Sequence, residues 1–453
     1  MKKWWLVFGS YFLVLLAWAV FSYSQTDPNL TLINQAWFID FQNTIWLWGS
    51  DRTVLTWTYG IIIGLAFFTY GSIIYLLKKE KTSFDELLKK WGWLKLIGVY
   101  LAIIAPLLLA YNALSHDVFN YIFNARMVVN YGADPHVKVA LDFAADDWTR
   151  FMHNTHTPAP YAYGFTLLSL VPYVLGLGKF ISTWLMFRVM SLGGILLLVY
   201  SWLKYAKVAG FKLKLDQVAL VLLNPLFVIE IVGNMHNDLW MMVPAILSLV
   251  YFAKKENQKK WLVLGWVLLG FSIYTKYATA VLIPLGMVVI LVSMLDITLH
   301  KKLPAVAVAF LSKINIKSWV LKSIPLSASI LMFVPLLLPR AQQFHPWYLV
   351  WVLVWLPLIN LGDLSGLRLK LEQCLEKVPV FGAVTSFKRW WVITVLIFSV
   401  TSMFRYLPWL KYGGFSPEIL LQQKMITWSA IPIGFLLWLI TSKRKSSNWR
   451  RIN

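Results

Sequence analysis

A single cysteine in 453 residues leaves Cys374 without a partner for an internal disulfide, so nothing staples this chain covalently. Charge is scarce. Charged residues make up 14% of the sequence, against about 25% in a soluble domain. Acidic groups are scarcer still, 20 against 42 Lys and Arg. There is no HExxH, no tight histidine spacing and no cysteine ligand set, which argues against a zinc site, and no metal or other cofactor is expected. The absence of a Walker A loop and of a GxSxG elbow removes P-loop and α/β-hydrolase chemistry. Clear internal repeats, frequent in transporters, and low-complexity tracts are lacking as well.

What is present is apolar. Hydrophobic residues make up 59% and mean hydropathy is +0.64, so most of the surface has to be buried in lipid. The 25 Trp and 20 Tyr fit aromatic belts at two interfaces. A net charge of +22 raises the question of nucleic acid. That reading needs a basic patch on a soluble fold, and here the cations sit in short loops between apolar runs, so no nucleic-acid partner is expected.

Runs long enough to span a bilayer, at about 20 residues or slightly fewer, fall at 4–22, 54–77, 93–114, 181–203, 216–232, 238–253, 261–275, 277–294, 324–339, 347–361, 391–407 and 426–441. The expectation is one all-α polytopic membrane domain over 1–453 with about twelve transmembrane helices (eleven to thirteen). The N-terminal run after Lys2 and Lys3 reads as an uncleaved anchor rather than a signal peptide. Lysines gather at 78–90, 204–214 and 254–260, and a basic tail occupies 443–453. By the positive-inside rule these are cytoplasmic, which puts both termini inside and requires an even number of spans. Counting 161–178 as a crossing would break that parity, so it reads as a re-entrant or interfacial helix walling a cavity. The stretch 32–48, with Trp37, Phe38, Phe41, Ile45 and Trp48, suits another interfacial helix.

The extracytoplasmic side then collects a large loop, 115–160, the one large cluster of ionisable groups between apolar runs. On a helix starting near Ser115, Asp117, Asn120, Tyr121 and Asn124 share one face, and Gly132 suits its C-cap. Ser115 or Asp117 acting as a simple helix cap is the bland alternative. A polar face where lipid contact demands apolar residues favours chemistry. Asn224-Pro225 precedes Glu230 and then Gly233-Asn234-Met235-His236-Asn237-Asp238. Caps explain Gly233, Asn237 and Asp238 but leave Glu230 and His236 over, and ionisable groups at membrane depth are functional candidates. Lys276 is an isolated cation on the outer side, where snorkelling is the alternative. Arg340, His345, Arg405 and Lys411 lie on the same face beside Pro346-Trp347-Tyr348; Lys411 reads as an interface anchor. Asp142, Asp146 and Asp147 read as a solvated loop face.

These residues, in this order, resemble the GT-C superfamily of polytopic glycosyltransferases, and within it bacterial polyprenol-phosphate-mannose-dependent α-(1→6)-mannosyltransferases. The likeness rests on Asp117-Val118-Phe119-Asn120-Tyr121 with Gly132-Ala133-Asp134-Pro135, then Pro160-Tyr161-Ala162-Tyr163-Gly164. Asn224-Pro225-Leu226 with His236-Asn237-Asp238 follows, and Lys276 with Pro346-Trp347-Tyr348 comes last. It covers about 110 to 360. The chain departs from the family pattern at His116, at His136 and at Ala162-Tyr163-Gly164-Phe165.

The resemblance implies an extracytoplasmic, inverting transfer of a hexose, mannose favoured, from a polyprenyl-phosphate donor to a glycan or glycolipid acceptor. Asp117 would be the general base. Lys276, with Arg340 and Arg405 second, would hold the donor phosphate. Asn120, Tyr121, Asn124, Asp134, His236, Asn237, Asp238, His345 and Tyr348 would bind sugar or acceptor, with Asp134 alternatively supporting Asp117. A transporter or flippase of lipid-linked saccharide is the reading from another class.

Overall fold

The computed structural model describes residues 2–26, 33–254, 258–302, 316–338, 344–359 and 379–449. Arg340 and Cys374 lie outside them. Among the described residues the chain is helical without a strand, and one isolated bridge joins Ser83 to Lys214. The helices are α1 (Lys2–Ser22), α2 (Ala36–Trp48), α3 (Arg52–Glu80), α4 (Phe84–Ile104), α5 (Asp117–Tyr131), α6 (Tyr163–Leu175), α7 (Phe180–Ala209) and α8 (Leu215–Leu222). After a bend come α9 (Leu239–Phe252), α10 (Gln258–Thr275), α11 (Ile283–Lys302), α12 (Ile316–Leu331), α13 (Pro379–Phe404), α14 (Tyr406–Tyr412), α15 (Pro417–Trp428) and α16 (Ala430–Trp449).

Local chemistry sets many of these ends. Asp51 caps α3 by accepting from the N–H groups of Thr53 (2.7 Å) and Val54 (3.1 Å). Gly132, at φ 60°, closes α5; its own N–H reaches back to the Val128 carbonyl and that of Ala133 to the Met127 carbonyl. Ser416 followed by Pro417 starts α15.

Among the described residues, eight helical segments are long and apolar enough to cross a membrane: Trp4–Gln25, Arg52–Glu80, Phe84–Leu108, Phe180–Ala209, Tyr277–Asp296, Ile316–Leu337, Thr385–Tyr412 and Pro417–Thr441. They correspond to eight of the twelve expected runs. The other four take a different form. Run 216–232 is a pair, Leu215–Leu222 and Pro225–Gly233, bent by 48°, which makes nine if it counts as one span. Run 238–253 is α9, whose 14 residues reach about 21 Å, short of the roughly 30 Å of a hydrocarbon core. Run 261–275 lies in α10, which opens on Lys259 and Lys260. Run 347–361 is a broken series of short 3-10 and α turns, Pro346–Leu358. Hydropathy does not separate these from true spans, because a residue buried in protein and one facing lipid are equally apolar. In α9 and in Val350–Ile359 nearly every side chain is buried inside the bundle.

The lysine-rich turns share one end of the molecule. The Phe84 N–H donates to the Leu213 carbonyl (2.9 Å) and the Leu215 N–H to that of Thr82 (3.0 Å). Lys212 pairs with Glu86 at 3.2 Å. Lys317 donates to the Ala253 carbonyl (2.6 Å) and Ser318 to that of Ala209 (3.0 Å). The opposite end carries α2, α5, α6 and the loop between the last two. There α6 has 13 residues, too few to cross at about 1.5 Å each. Tyr163 at its start donates to Asp134 (2.8 Å) and Tyr173 near its end to Asn130 (2.6 Å). Both ends of α6 therefore rest on the same layer, while Leu167, Val171 and Val174 face outward. In α2, Trp37 is exposed and Phe38 packs edge-on against Tyr23. Two cores result, a large one within the bundle and a smaller aromatic one under the 115–160 loop around Phe119, Phe151 and Phe187.

Candidate active site

The chain reaches Asp117 through an irregular segment after α4, and a buried cation fixes its course. Arg188 of α7 is 2% exposed. Its guanidinium donates to the carbonyls of Leu107, Ala110 (2.9 Å) and Gly233 (3.3 Å). Buried charge is tolerated where dipoles satisfy it, and here three carbonyls do so. Asn112 donates to the Gly233 carbonyl (3.1 Å) and accepts from the Trp184 indole (2.8 Å). The approach to Asp117 and the approach to His236 are thus tied through Gly233.

The second approach is bent on purpose. Asn224 accepts from the Leu226 N–H (3.0 Å), capping a short turn that begins with Pro225. The chain then widens into a π-helix, Val228–Gly233, a form that recurs at functional sites because it re-aims side chains. Met235 is left-handed at φ 58° while 2% exposed, a strained position for a residue with a Cβ. The result is a tight reversal presenting Glu230, His236 and Asp238 together.

Asp117 occupies the first position of α5. The Ser115 hydroxyl accepts from the Asp117 N–H (3.3 Å), which takes the capping role, and the Asp117 carboxylate turns away to Tyr161 and His236. Tyr161 donates its hydroxyl to Asp117 Oδ2 at 3.1 Å. Burial, then the Asp117 charge, raise the Tyr161 phenol well above its ordinary value, so it stays a donor. His236 Nδ1 lies 3.6 Å from Asp117 Oδ2, and its Nε2 lies 3.3 Å from Glu230 Oε2. The imidazole therefore sits between two carboxylates, one partly exposed at 21% and one fully buried. Glu230 is held from behind by Asn234 (2.8 Å) and Tyr406 (3.1 Å). The His236 ring stacks on Trp347 at 3.9 Å, and His345 stacks on the same indole at 4.4 Å.

Beside this row lies a cavity of about 160 Å³ lined by Ser115, His116, His153, His345, Arg405 and Tyr406, among others. Arg405 is 4% exposed and donates to the Thr427 hydroxyl (3.4 Å). Among the described residues no carboxylate lies within 4.0 Å of its guanidinium. Burial lowers the His345 imidazole to about 4 and the His116 imidazole to about 3, the latter pushed further by His153 stacked on it at 3.7 Å. Both rings are neutral at neutral pH, which leaves Arg405 as the cation of this cavity.

Several expected site residues are placed differently from their expected roles. Lys276 is not a free cation: its Nζ pairs with Asp238 Oδ1 at 2.7 Å, and the Trp351 indole donates to the same oxygen. Asp134 accepts from the His136 N–H (2.8 Å) and from Tyr163 (2.8 Å), so the hydrogen bond that holds Asp117 comes from Tyr161 instead. Asp146 is 8% exposed, not part of a solvated face; Arg126 and Tyr131 (2.7 Å) hold it. Asn120, Tyr121 and Asn124 are buried, with the Tyr121 ring edge-on to Tyr161 at 5.1 Å. Asn237 and Asn120 Oδ1 are buried without a hydrogen-bond partner among the described residues. Tyr348 lies under Lys276, its ring centre 5.7 Å from the ammonium. Tyr161, Trp347, Trp351, Tyr406 and Arg188 were not anticipated as parts of this arrangement. Tyr161 and Trp347 stood in quoted motifs without a role, Arg188 is a lone cation inside an apolar run, and Trp351 and Tyr406 are ordinary apolar-run residues until the fold brings them in.

The fold and the site together define an all-helical polytopic membrane protein with an acid–imidazole–acid row and a buried arginine at one end of its bundle. The chain belongs to the MptA/B family: the alpha-(1->6)-mannopyranosyltransferase N-terminal domain of that family matches residues 5–293. It is 25% identical over 270 residues to Alpha-(1->6)-mannopyranosyltransferase A of Mycobacterium tuberculosis. That stretch is 58% of this chain and 46% of the relative, so the chain spans about half the length of the curated protein it matches. No solved structure matches the chain.

Proposed function

We propose that this chain is an inverting mannosyltransferase that takes mannose from a polyprenyl-phosphate donor and gives it to a glycan or glycolipid hydroxyl on the extracytoplasmic face. The relative's printed activity and the family motifs supply the sugar. The gathering of lysines at the far end of the bundle, read by the positive-inside rule, supplies the side. The observation that carries the chemistry is Asp117, a partly exposed carboxylate held by Tyr161 and facing His236 next to the Arg405 cavity.

In this reading the acceptor hydroxyl gives its proton to Asp117 as its oxygen bonds to the anomeric carbon. The bond from that carbon to the phosphate oxygen breaks, and the electron pair leaves with the lipid phosphate. General-base help of this kind contributes about 10²–10⁴-fold. Charge grows on the leaving phosphate, and a preorganised cation in a dry site stabilises it. Arg405 takes that role ahead of Lys276, whose charge is engaged by Asp238; Arg340 lies outside the described residues. Lys276 and Asp238 then form a rigid ion pair over the Tyr348 ring. Asn120 and Asn237, buried with open hydrogen-bonding capacity, are suited to sugar hydroxyls. His236, backed by Glu230, fixes the orientation of Asp117.

The test is a donor panel in membranes containing the full chain: polyprenyl-phosphate mannose, polyprenyl-phosphate glucose and a nucleotide-linked mannose. The expected product forms from polyprenyl-phosphate mannose with inverted anomeric configuration. Transfer straight from the nucleotide sugar, or no transfer from any of the three, contradicts the proposal.

A further inference from the structure

Away from Asp117, towards the lysine-rich end, the bundle leaves a cleft of about 450 Å³ between α1, α4, α7 and α8. Its walls are apolar and mostly aliphatic, with Trp4, Phe8, Trp91, Trp93 and Tyr100 among the aromatic members. The cleft exists because α4 is kinked. Gly92 sits at φ 71°, ψ 169°, a backbone region essentially reserved for glycine, so the first turns of α4 leave at an angle to the rest. The helix is fastened at Phe84 to the Leu213 carbonyl (2.9 Å) and at Tyr100 to that of Leu222 (3.2 Å). Between these points it stands off the bundle. Only 17% of the apolar window of this span is buried, against 44% for α7.

A gap of this kind facing a bilayer fills with hydrocarbon, because lining atoms without neighbours forgo their dispersion contacts. The rim says which lipid. Lys81 and Lys214 immediately precede Thr82 and Leu215, two lining residues. The Lys95 ammonium lies 4.8 Å over the Trp91 ring. Nearby acids are mostly engaged: Glu86 with Lys212 at 3.2 Å, Asp85 with the Leu213 N–H at 3.0 Å. Glu80 is the one carboxylate in the lining. Lysines beside tryptophans at the end of an apolar cleft match a phosphate headgroup above an acyl chain.

We propose that this cleft is a binding site for one anionic phospholipid, its acyl chain between α4 and the α7–α8 wall and its phosphate at Lys81, Lys95 and Lys214. The site is independent of the transfer reaction.

The full chain is reconstituted in nanodiscs of phosphatidylcholine with a minor fraction of phosphatidylglycerol, re-extracted in mild detergent, and its retained lipids are counted by native mass spectrometry. One phosphatidylglycerol per chain is expected, enriched over phosphatidylcholine. Lys95→Gln and Lys214→Gln each lower its retention about five-fold. Filling the cleft with Ile97→Trp releases the lipid with all three lysines in place; Ala219→Leu serves the same purpose if Ile97→Trp does not fold. Equal retention of the two phospholipids, no retained phospholipid, displacement by polyprenyl phosphate, or unchanged retention in the double lysine variant overturns the proposal.

Discussion

The long helices of the frame and the short, bent elements at the centre are written in the same apolar alphabet, yet they answer to different surroundings. Leu94 in α4 is 88% exposed and faces lipid, while Asp238, at the head of the 14-residue α9, has no exposed surface at all. Frame helices satisfy their backbone internally and need only an apolar exterior. The central elements break, at Pro225, at Met235 and at His345-Pro346, and each break frees backbone and side-chain polarity that the neighbours must satisfy. Every residue of the acid–imidazole–acid row comes from such a break or from the start of a short helix. The candidate site is concentrated where the membrane helix is incomplete.

The comparison can be broken by substitution on either side of it. The largest effect is expected at Asp117: the Asn variant should lose about 10²–10⁴-fold in transfer rate, measured as kcat at saturating donor. Arg405→Met should cost about 10²–10³-fold in kcat, the scale for removing one preorganised group that stabilises developing negative charge. If the Arg405 variant transfers normally, the phosphate sits elsewhere, with Lys276 the next candidate. Glu230→Gln keeps the shape but puts an amide where Asn234, Tyr406 and His236 all face an acceptor. A hydrogen bond to a charged group is worth about 1.5–3 kcal/mol, or roughly ten- to a hundredfold in rate. That loss should fall on kcat rather than on donor KM if Glu230 acts through His236.

A smaller, pH-dependent effect is expected at His116. Its folded-state value, about 3, lies below the ordinary 6.5. As pH falls the unfolded chain takes up the proton first, so stability is full above about 6.5 and is lost progressively towards about 3. His116→Phe should flatten this acid limb of the melting temperature, leaving the parts due to His345, His136 and His153, whose imidazoles burial also lowers. The smallest effect is expected in the frame: Leu94→Ala should change stability by no more than about 0.5 kcal/mol and leave transfer unaltered, which a thermal melt and a rate assay check side by side.

The frame was legible in the sequence. Apolar length found eight spans, the polar face of α5 announced Asp117, and Gly132 closed that helix where expected; α6 is indeed too short to cross, although the parity that set 161–178 aside rested on a count of twelve that the described helices do not reach. The centre was half legible. Glu230 and His236 stood out as ionisable groups inside apolar runs, but nothing in their spacing said that His236 faces Asp117, which is remote in sequence. Hydropathy also read α9 and Pro346–Leu358 as spans, since burial in protein and burial in lipid select the same residues. Lys276 looked free because its partner Asp238 is 38 residues away and its own neighbours carry no charge. Ion pairs made by the fold, not by the helix, are invisible to local spacing.

The central claim is that Asp117 removes the acceptor proton and does little for donor binding. Donor affinity and transfer rate measured on one preparation of Asp117→Asn test it most directly. The account predicts an unchanged dissociation constant for polyprenyl-phosphate mannose with transfer reduced by at least about a hundredfold. Transfer at the wild-type rate, or donor binding lost together with transfer, would contradict it.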